Sequence, residues 1–513
     1  MGVRADFRMP ALMVLALGCA LVPLWSTTTP PLLDYHNHLA RQYIVANIGG
    51  SEILAAFYRT SWHATPYLAF DGIVQALATL MPVDVAGKVF LSLMLLLLAA
   101  APMALNLALF GRVTPVALLG LLFVHNNTVT LGFVNYVFGI GFALCGVALW
   151  IRLRRAALWT RLLLAPLVCT LVFFSHLLGF VVYLLVIGSY ELGRYLAGIA
   201  RVDGRRRFML DRDQGWNLLS LLLQSAIPLL IFAAFGPSTE SVAKNTYGGI
   251  ARKFQLLANM FGYLMPPYLW TLDQTMKLVL PVLLVALLVM RRLRMAPGMV
   301  WPLAAVLLMF FVMPMELFSG WGADHRLLPV LGFLLVGALA PTDVVRPRPL
   351  RWAFAAVGLL AVVRTAAVTV DWRKANDEYA DYLRAFDAVH DGGRMYYAFG
   401  HAGGQHVSTR PVYHLPTLVL ARREAYVPFL FASSSGGFTL QYRSEVEPLQ
   451  RLSKGPVLTH GASPDWPAIV DQFDHFLLVD ERHFREPPPA GLALVYEGGS
   501  VRMYQRRLVR RGE

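Results

Sequence analysis

The chain has 513 residues, of which 57% are hydrophobic and only 15% charged. That is too little charge for a water-soluble protein and enough apolar length for a helical membrane bundle plus one further domain. The net charge of +14 does not point to nucleic acid, because the arginines lie in short clusters between apolar runs, the pattern that sets membrane orientation. Cys19, Cys145 and Cys169 each sit inside an apolar run without ligand spacing; they suggest no disulfide framework and read as small buried hydrophobes.

Arg4 and Arg8 precede an apolar run from Met9 to Trp25 that lacks a small-residue cleavage site near its end. This reads as an uncleaved first helix with its N-terminus in the cytoplasm. A polar, aromatic-rich outer loop follows over 26–65. Further apolar runs at 86–110, 113–125, 134–151, 161–174, 178–190, 216–236, 277–290, 298–315, 327–340 and 352–370 bring the expected total to about eleven spans. The clusters at Arg112, Arg152 to Arg155, Arg194 to Arg207, Arg291 to Arg294 and Arg346 to Arg351 all fall on the cytoplasmic side under two conditions. Segment 66–81, which contains Asp71, must not span, and 161–190 must be a hairpin turning at Ser175 and His176. The loop 237–276, the turn 316–326 and everything after 371 then lie outside.

The tail reads as an amphipathic helix over 371–390, marked by Tyr379, Leu383, Phe386 and Val389. Strand-like runs follow at 394–399, 476–479, 492–496 and 501–504, the last two joined by a turn at Gly498 and Gly499. The expected architecture is an α-helical polytopic membrane bundle over 1–370 and a small soluble α/β domain over 371–513, outside the cytoplasm.

The densest chemistry follows the first helix: Asp34, Tyr35, His36, Asn37, His38, then Arg41. An aspartate against an apolar wall can serve as a general base, and an arginine fork can hold a phosphate. His36 and His38 with Asp34 make a poor metal site, since a spacing of two puts the histidines on opposite faces of a strand. The plain alternative is a wet loop that caps helices. Context favours function: His125, Asn126, Asn127, Asn135, Tyr136, Ser175, His176, Glu316, Asp324, His325 and Arg326 recur at the expected outer ends of other spans. If those ends converge, they line one outer cavity. Arg252 and Lys253 form a second cationic pair in the loop 237–276, suited to an anionic headgroup or to ordinary solvation. The tail histidines His401, His406 and His414 are accounted for by loop polarity.

These residues resemble the GT-C superfamily of membrane glycosyltransferases. The matching stretches are D-Y-H-N-H-L-A-R at 34–41, G-F-V-N-Y-V-F-G at 132–139, F-S-H-L-L-G at 174–179 and G-A-D-H-R-L at 322–327, with D-H-F-L-L-V-D at 474–480 and V-Y-E-G-G-S-V-R-M-Y at 495–504 in the tail. The resemblance implies transfer of a sugar from a polyprenyl-phosphate donor to a lipid- or glycan-linked acceptor at the outer face of a bacterial cytoplasmic membrane, in contact with membrane lipids and without nucleic acid. Asp34 takes the place of the family's first-loop acid and would be the base. His38, Arg41, His176, Lys253, Asp324 and Arg326 would contact substrate or phosphate. Some members carry a paired acid where this chain has Asp34 followed by Tyr35 and His36. That departure argues against a metal-dependent mechanism, so no cofactor is expected, and it leaves the partner of Asp34 open. The rival classes are a lipid-linked glycan flippase, a polysaccharide polymerase or ligase, and a non-catalytic envelope-assembly protein.

Overall fold

Apolar helices build most of the molecule, seen in a computed structural model that describes residues 14, 17–197, 200–202, 205–207, 212–235, 245–260, 270–317, 320–342, 347–400, 410–432, 438–452 and 462–507. Among these residues, seven helices are long and apolar enough to cross a membrane. Of the first expected span, 9–25, the structure describes residues 14 and 17–25, which end in a short helix at Val22–Trp25. Helices over Leu158–Ser175, Arg212–Phe235 and Trp270–Val289 turn Leu163, Leu222, Leu230 and Leu278 outward, each about 70% exposed. An apolar surface of this kind suits lipid and not water.

The elements that position the site are these. Helix α1 covers Tyr35–Asn47 and α2 covers Leu68–Ala78. Helix α3, Val83–Phe110, ends at Gly111, which takes the left-handed conformation that closes a helix. Helix α4, Val134–Leu153, packs along α3, and a side chain at Gly141 would come within 2.9 Å of the Leu98 backbone. Helices α5, Leu158–Ser175, and α6, Leu177–Ala197, are separated by extended backbone at His176. The run 161–190 is therefore two helices broken where the polar pair sits. Helix α2 has 11 residues, too short for a bilayer crossing. The run 113–125 also differs from expectation: a four-residue helix, Pro115–Leu118, tightens into 3-10 turns over Leu119–Phe123, which is too short to span.

Arginines gather at one end of this bundle. Arg152, Arg154, Arg155 and Arg194, from the C-terminal ends of α4 and α6, line a cavity of about 590 Å³, and Arg154 pairs with Glu191 at 2.8 Å. The opposite ends of the same two helices lie at Asn135, in the first turn of α4, and at His176, just before α6.

One helix runs through position 371. Helix α7, Pro347–Ala385, runs 39 residues without interruption, about 58 Å at the helical rise. Its second half buries Trp372, Tyr379 and Tyr382. Beyond it lies a four-stranded sheet. With β2 at Met395–Phe399, β4 at His475–Val479, β5 at Leu492–Gly498 and β6 at Val501–Arg506, the order is β5-β6-β4-β2; β2 and β4 are parallel and the other pairs antiparallel. A separate ladder pairs β1, Tyr58–Thr60 in the loop 26–65, with β3, Leu440–Tyr442 in the tail. That ladder brings the chain on either side of residue 439 back onto α1 and α2.

Candidate active site

Asp34 is held by backbone as much as by its helix. Its N–H donates to the Leu131 carbonyl at 3.1 Å, and the Leu33 N–H donates to Thr130 at 2.9 Å. The turn that carries these carbonyls closes at Gly132, with φ of +75°, where an added Cβ would lie 2.6 Å from the Asp34 nitrogen. Glycine is required there on both counts. The stretch 132–136 thus packs directly beneath the acid. Asn135 ties down the start of α2, accepting from the Phe70 N–H at 2.8 Å and donating to the Tyr67 carbonyl at 3.0 Å. The Tyr136 hydroxyl donates to the Arg326 carbonyl.

Because 35–47 is a helix and not a strand, the relevant period is 3.6 residues. Asp34, Asn37, His38 and Arg41 then share one face. Asp34, His38 and Arg41 line a cavity of about 580 Å³ with Tyr67, Tyr136, His176, Arg326 and His414. His36 lies on another face, buried against the Tyr379 ring at 5.4 Å. Among the described residues, no cluster of three metal-ligating side chains occurs.

The cations of the site differ in how they are compensated. Arg41 is 1% exposed and pairs with Asp71 of α2. Asp71 also accepts from Gln42 at 2.7 Å and from the Thr439 hydroxyl at 2.6 Å. Arg326 lies over the Phe133 ring at 4.2 Å. Among the described residues it has no carboxylate within ion-pair distance, and its Nε is buried without a partner. Its neighbour is His176, whose Nδ1 accepts the Leu178 N–H at 3.0 Å. A neutral ring with Nδ1 accepting carries its proton on Nε2, and that nitrogen lies 3.4 Å from Arg326 Nη1. Burial and the Arg326 charge push His176 well below the ordinary histidine value, so it is neutral. Two donor groups therefore converge on one space with no acceptor between them. His38, T-shaped to Phe431 at 5.1 Å, is likewise pushed well below the usual value by burial, Arg41 and His414.

Two candidates from the sequence lie elsewhere. Lys253 is 3% exposed, and its ammonium donates to the Phe310 carbonyl at 2.9 Å and the Met313 carbonyl at 2.6 Å while sitting 2.8 Å from Asp324. An ammonium has three donors, and all are used. Asp324 also takes Arg252 at 2.6 Å. Burial acts to raise the Asp324 carboxyl, but Arg252 and Lys253 outweigh it and hold it below its usual range. This cluster joins the helix Ile250–Ala258 to the turn before Arg326 and is outside the cavity lining. His125, Asn127, Ser175, Glu316 and His325 are outside it as well. His401 and His406 lie outside the described residues.

Sequence reasoning passed over His414, Asp71, Tyr413 and Thr439. His414 Nε2 is 3.4 Å from Asp34 Oδ1, across 380 positions of chain. No local pattern announces such a pair.

A helical bundle with a small terminal sheet is the architecture expected from the sequence. The chain superposes on two solved structures of ArnT from Cupriavidus metallidurans. One is bound to undecaprenyl phosphate and matches with a TM-score of 0.57 at 13% identity over 99% of this chain and 100% of that chain. The other, in the apo state, matches with a TM-score of 0.57 at 13% identity over 97% and 98%. At that identity the likeness is one of fold. No protein-family profile matches the chain, and no curated protein does.

Proposed function

We propose that this protein is a membrane glycosyltransferase that moves a sugar from a polyprenyl-phosphate donor to a hydroxyl of a lipid- or glycan-linked acceptor. We place the reaction at the outer face of the cytoplasmic membrane, the face opposite the arginine clusters. The observation that carries the reading is the half-buried Arg326, which has no carboxylate partner among the described residues, in the same cavity as Asp34 and flanked by the His176 Nε2–H. A half-buried guanidinium whose Nε is enclosed without a partner and whose Nη2 has only the Trp321 carbonyl at 3.4 Å favours an anion beside it. A phosphate supplies that anion, and ArnT, whose fold this chain shares, is known bound to undecaprenyl phosphate. A cavity of about 580 Å³ accommodates a sugar phosphate headgroup.

In this reaction the acceptor oxygen attacks the anomeric carbon and its proton passes to Asp34. The bond from the anomeric carbon to the phosphate oxygen breaks, and polyprenyl phosphate leaves with the electron pair. The phosphate gains one negative charge in the transition state. Arg326 and His176 offer fixed donors to that charge, and such preorganised donors contribute about 3–4 kcal/mol each where they have been removed from comparable sites. Arg41 is held by Asp71 with Nη1 unpartnered, and it faces the same cavity. His38 and Tyr67 complete the wall around the sugar.

Titration of detergent-solubilised protein with polyprenyl phosphate tests the anion site. Arg326→Gln is expected to weaken binding by about 10-fold or more, the loss of one charge-assisted hydrogen bond. Equal affinity in wild type and variant removes Arg326 from the phosphate site.

A further inference from the structure

We infer that His414, carried by the tail, is a positioning residue for Asp34, and that Asn37 fixes the ring so that Nε2–H faces the carboxylate. The inference rests on the reading of Asp34 as the base. It begins with an amide whose orientation is not a free choice. Asn37 Oδ1 accepts from the Phe431 N–H at 2.7 Å, and Asn37 Nδ2 donates to the Phe429 carbonyl at 2.8 Å. A backbone N–H cannot accept and a carbonyl cannot donate, so exchanging the amide atoms breaks both bonds. The second Nδ2 hydrogen then meets His414 Nδ1 at 3.2 Å. That nitrogen must accept, so in the neutral ring the proton resides on Nε2. Nε2 is the nitrogen 3.4 Å from Asp34 Oδ1, a separation that shortens when a reactive complex closes.

The ring has little freedom to do otherwise. It is 7% exposed, T-shaped against Phe431 at 5.1 Å and against Tyr413 at 4.4 Å. Its own carbonyl accepts from the Thr417 hydroxyl at 2.7 Å.

The consequence is a division of labour within one carboxylate. Oδ1 takes the His414 donor and fixes the carboxylate plane. Among the described residues no donor engages Oδ2, so that oxygen is left to receive the acceptor's proton. His414 does not relay the proton onward, because Nε2 already carries one. The proton stays on Asp34 until water removes it. The sequence shows no paired acid after Asp34; its partner is a histidine from the far end of the chain.

The test combines nitrogen NMR with kinetics on the full-length protein in lipid nanodiscs. In protein labelled with 15N-histidine, the signals lost in His414→Gln belong to His414. An imine-type Nδ1 and a pyrrole-type Nε2 are expected; the reverse pattern, or two pyrrole-type nitrogens at neutral pH, overturns the assignment. In transfer assays, His414→Phe keeps the ring packing but has no N–H. It is expected to lower kcat by about 10²-fold, the cost of a misplaced reacting group, with KM little changed. His414→Gln, whose amide nitrogen reaches Asp34, is expected to restore most of that loss. A Phe variant as fast as wild type overturns the inference, as does a Gln variant as slow as the Phe variant. Asp34→Asn separates the two levels. If it transfers as fast as wild type, the base assignment fails and this inference with it; if it is inactive while His414→Phe is fully active, only His414 loses its role.

Discussion

Four cations were candidates for phosphate, and their partners separate them. Arg326 faces the cavity without a carboxylate; Arg41 is tied to Asp71; Arg252 and Lys253 share Asp324. Two predictions follow at this scale. Lys253→Ala leaves Asp324 and two carbonyls short of a donor, so it should lower the melting temperature while folded protein binds polyprenyl phosphate with wild-type affinity. Asp71→Ala strands the Arg41 charge in a site that is 1% exposed, which costs about 3–5 kcal/mol. Denaturant titration in detergent should show that loss, and the Arg41→Ala, Asp71→Ala double variant should recover part of it. The sequence offered all these side chains as polar outliers in an apolar chain. Only spatial pairing distinguishes a cation that waits for a ligand from one already satisfied.

At the scale of elements, most of the site was legible once its period was known. Asp34, His38 and Arg41 are spaced by four and three, the spacing of one helical face. Read as loop or strand, the same residues scatter; read as α1, they line one wall. Helix α1 carries no strong apolar stripe, because it is enclosed on several sides by α2, α3 and the tail, and so it left a weak trace in the sequence. The motif at 132–136 was visible as a string, but the need for Gly132 was not, since it arises from the backbone of Asp34 pressing on it. Gly132→Ala should cost about 1–2 kcal/mol in backbone strain alone, and it should also depress turnover by displacing Asp34. A variant with lowered stability and unchanged kcat would show that this turn does not position the acid. The break between α5 and α6 was legible from Ser175 and His176, two polar residues in an apolar run.

The whole molecule depends on contacts that cross most of its length. The ladder of β1 with β3 and the bonds of Asn37 to Phe429 and Phe431 join the loop 26–65 to the tail, and Thr439 on Asp71 joins α2 to it. Pairings separated by several hundred residues leave no periodicity, which is why the strands of the tail could be read while its docking onto the site could not. The tail should also confer a pH response. His475, at the start of β4, is fully buried beside His390 at 2.8 Å, and burial and that neighbour push it down to about 4 against a slight opposing pull from Asp474. The unfolded chain binds a proton there near pH 6.5 and the folded chain does not. Its contribution to stability is therefore complete above about pH 6.5 and lost as pH falls toward about 4. Thermal unfolding followed across that window should show the decline, and His475→Gln should flatten it.

The central claim is that Asp34 accepts the proton of an incoming hydroxyl while a polyprenyl phosphate departs toward Arg326. The most direct test is to add purified wild-type and Asp34→Asn protein to radiolabelled polyprenyl-phosphate sugars with a membrane glycolipid extract. Transfer of label by wild type, with a fall of about 10²–10⁴-fold in the variant and unchanged binding of the donor, is the predicted result. Equal transfer by both proteins, or binding of the donor by both with transfer by neither, would contradict the account.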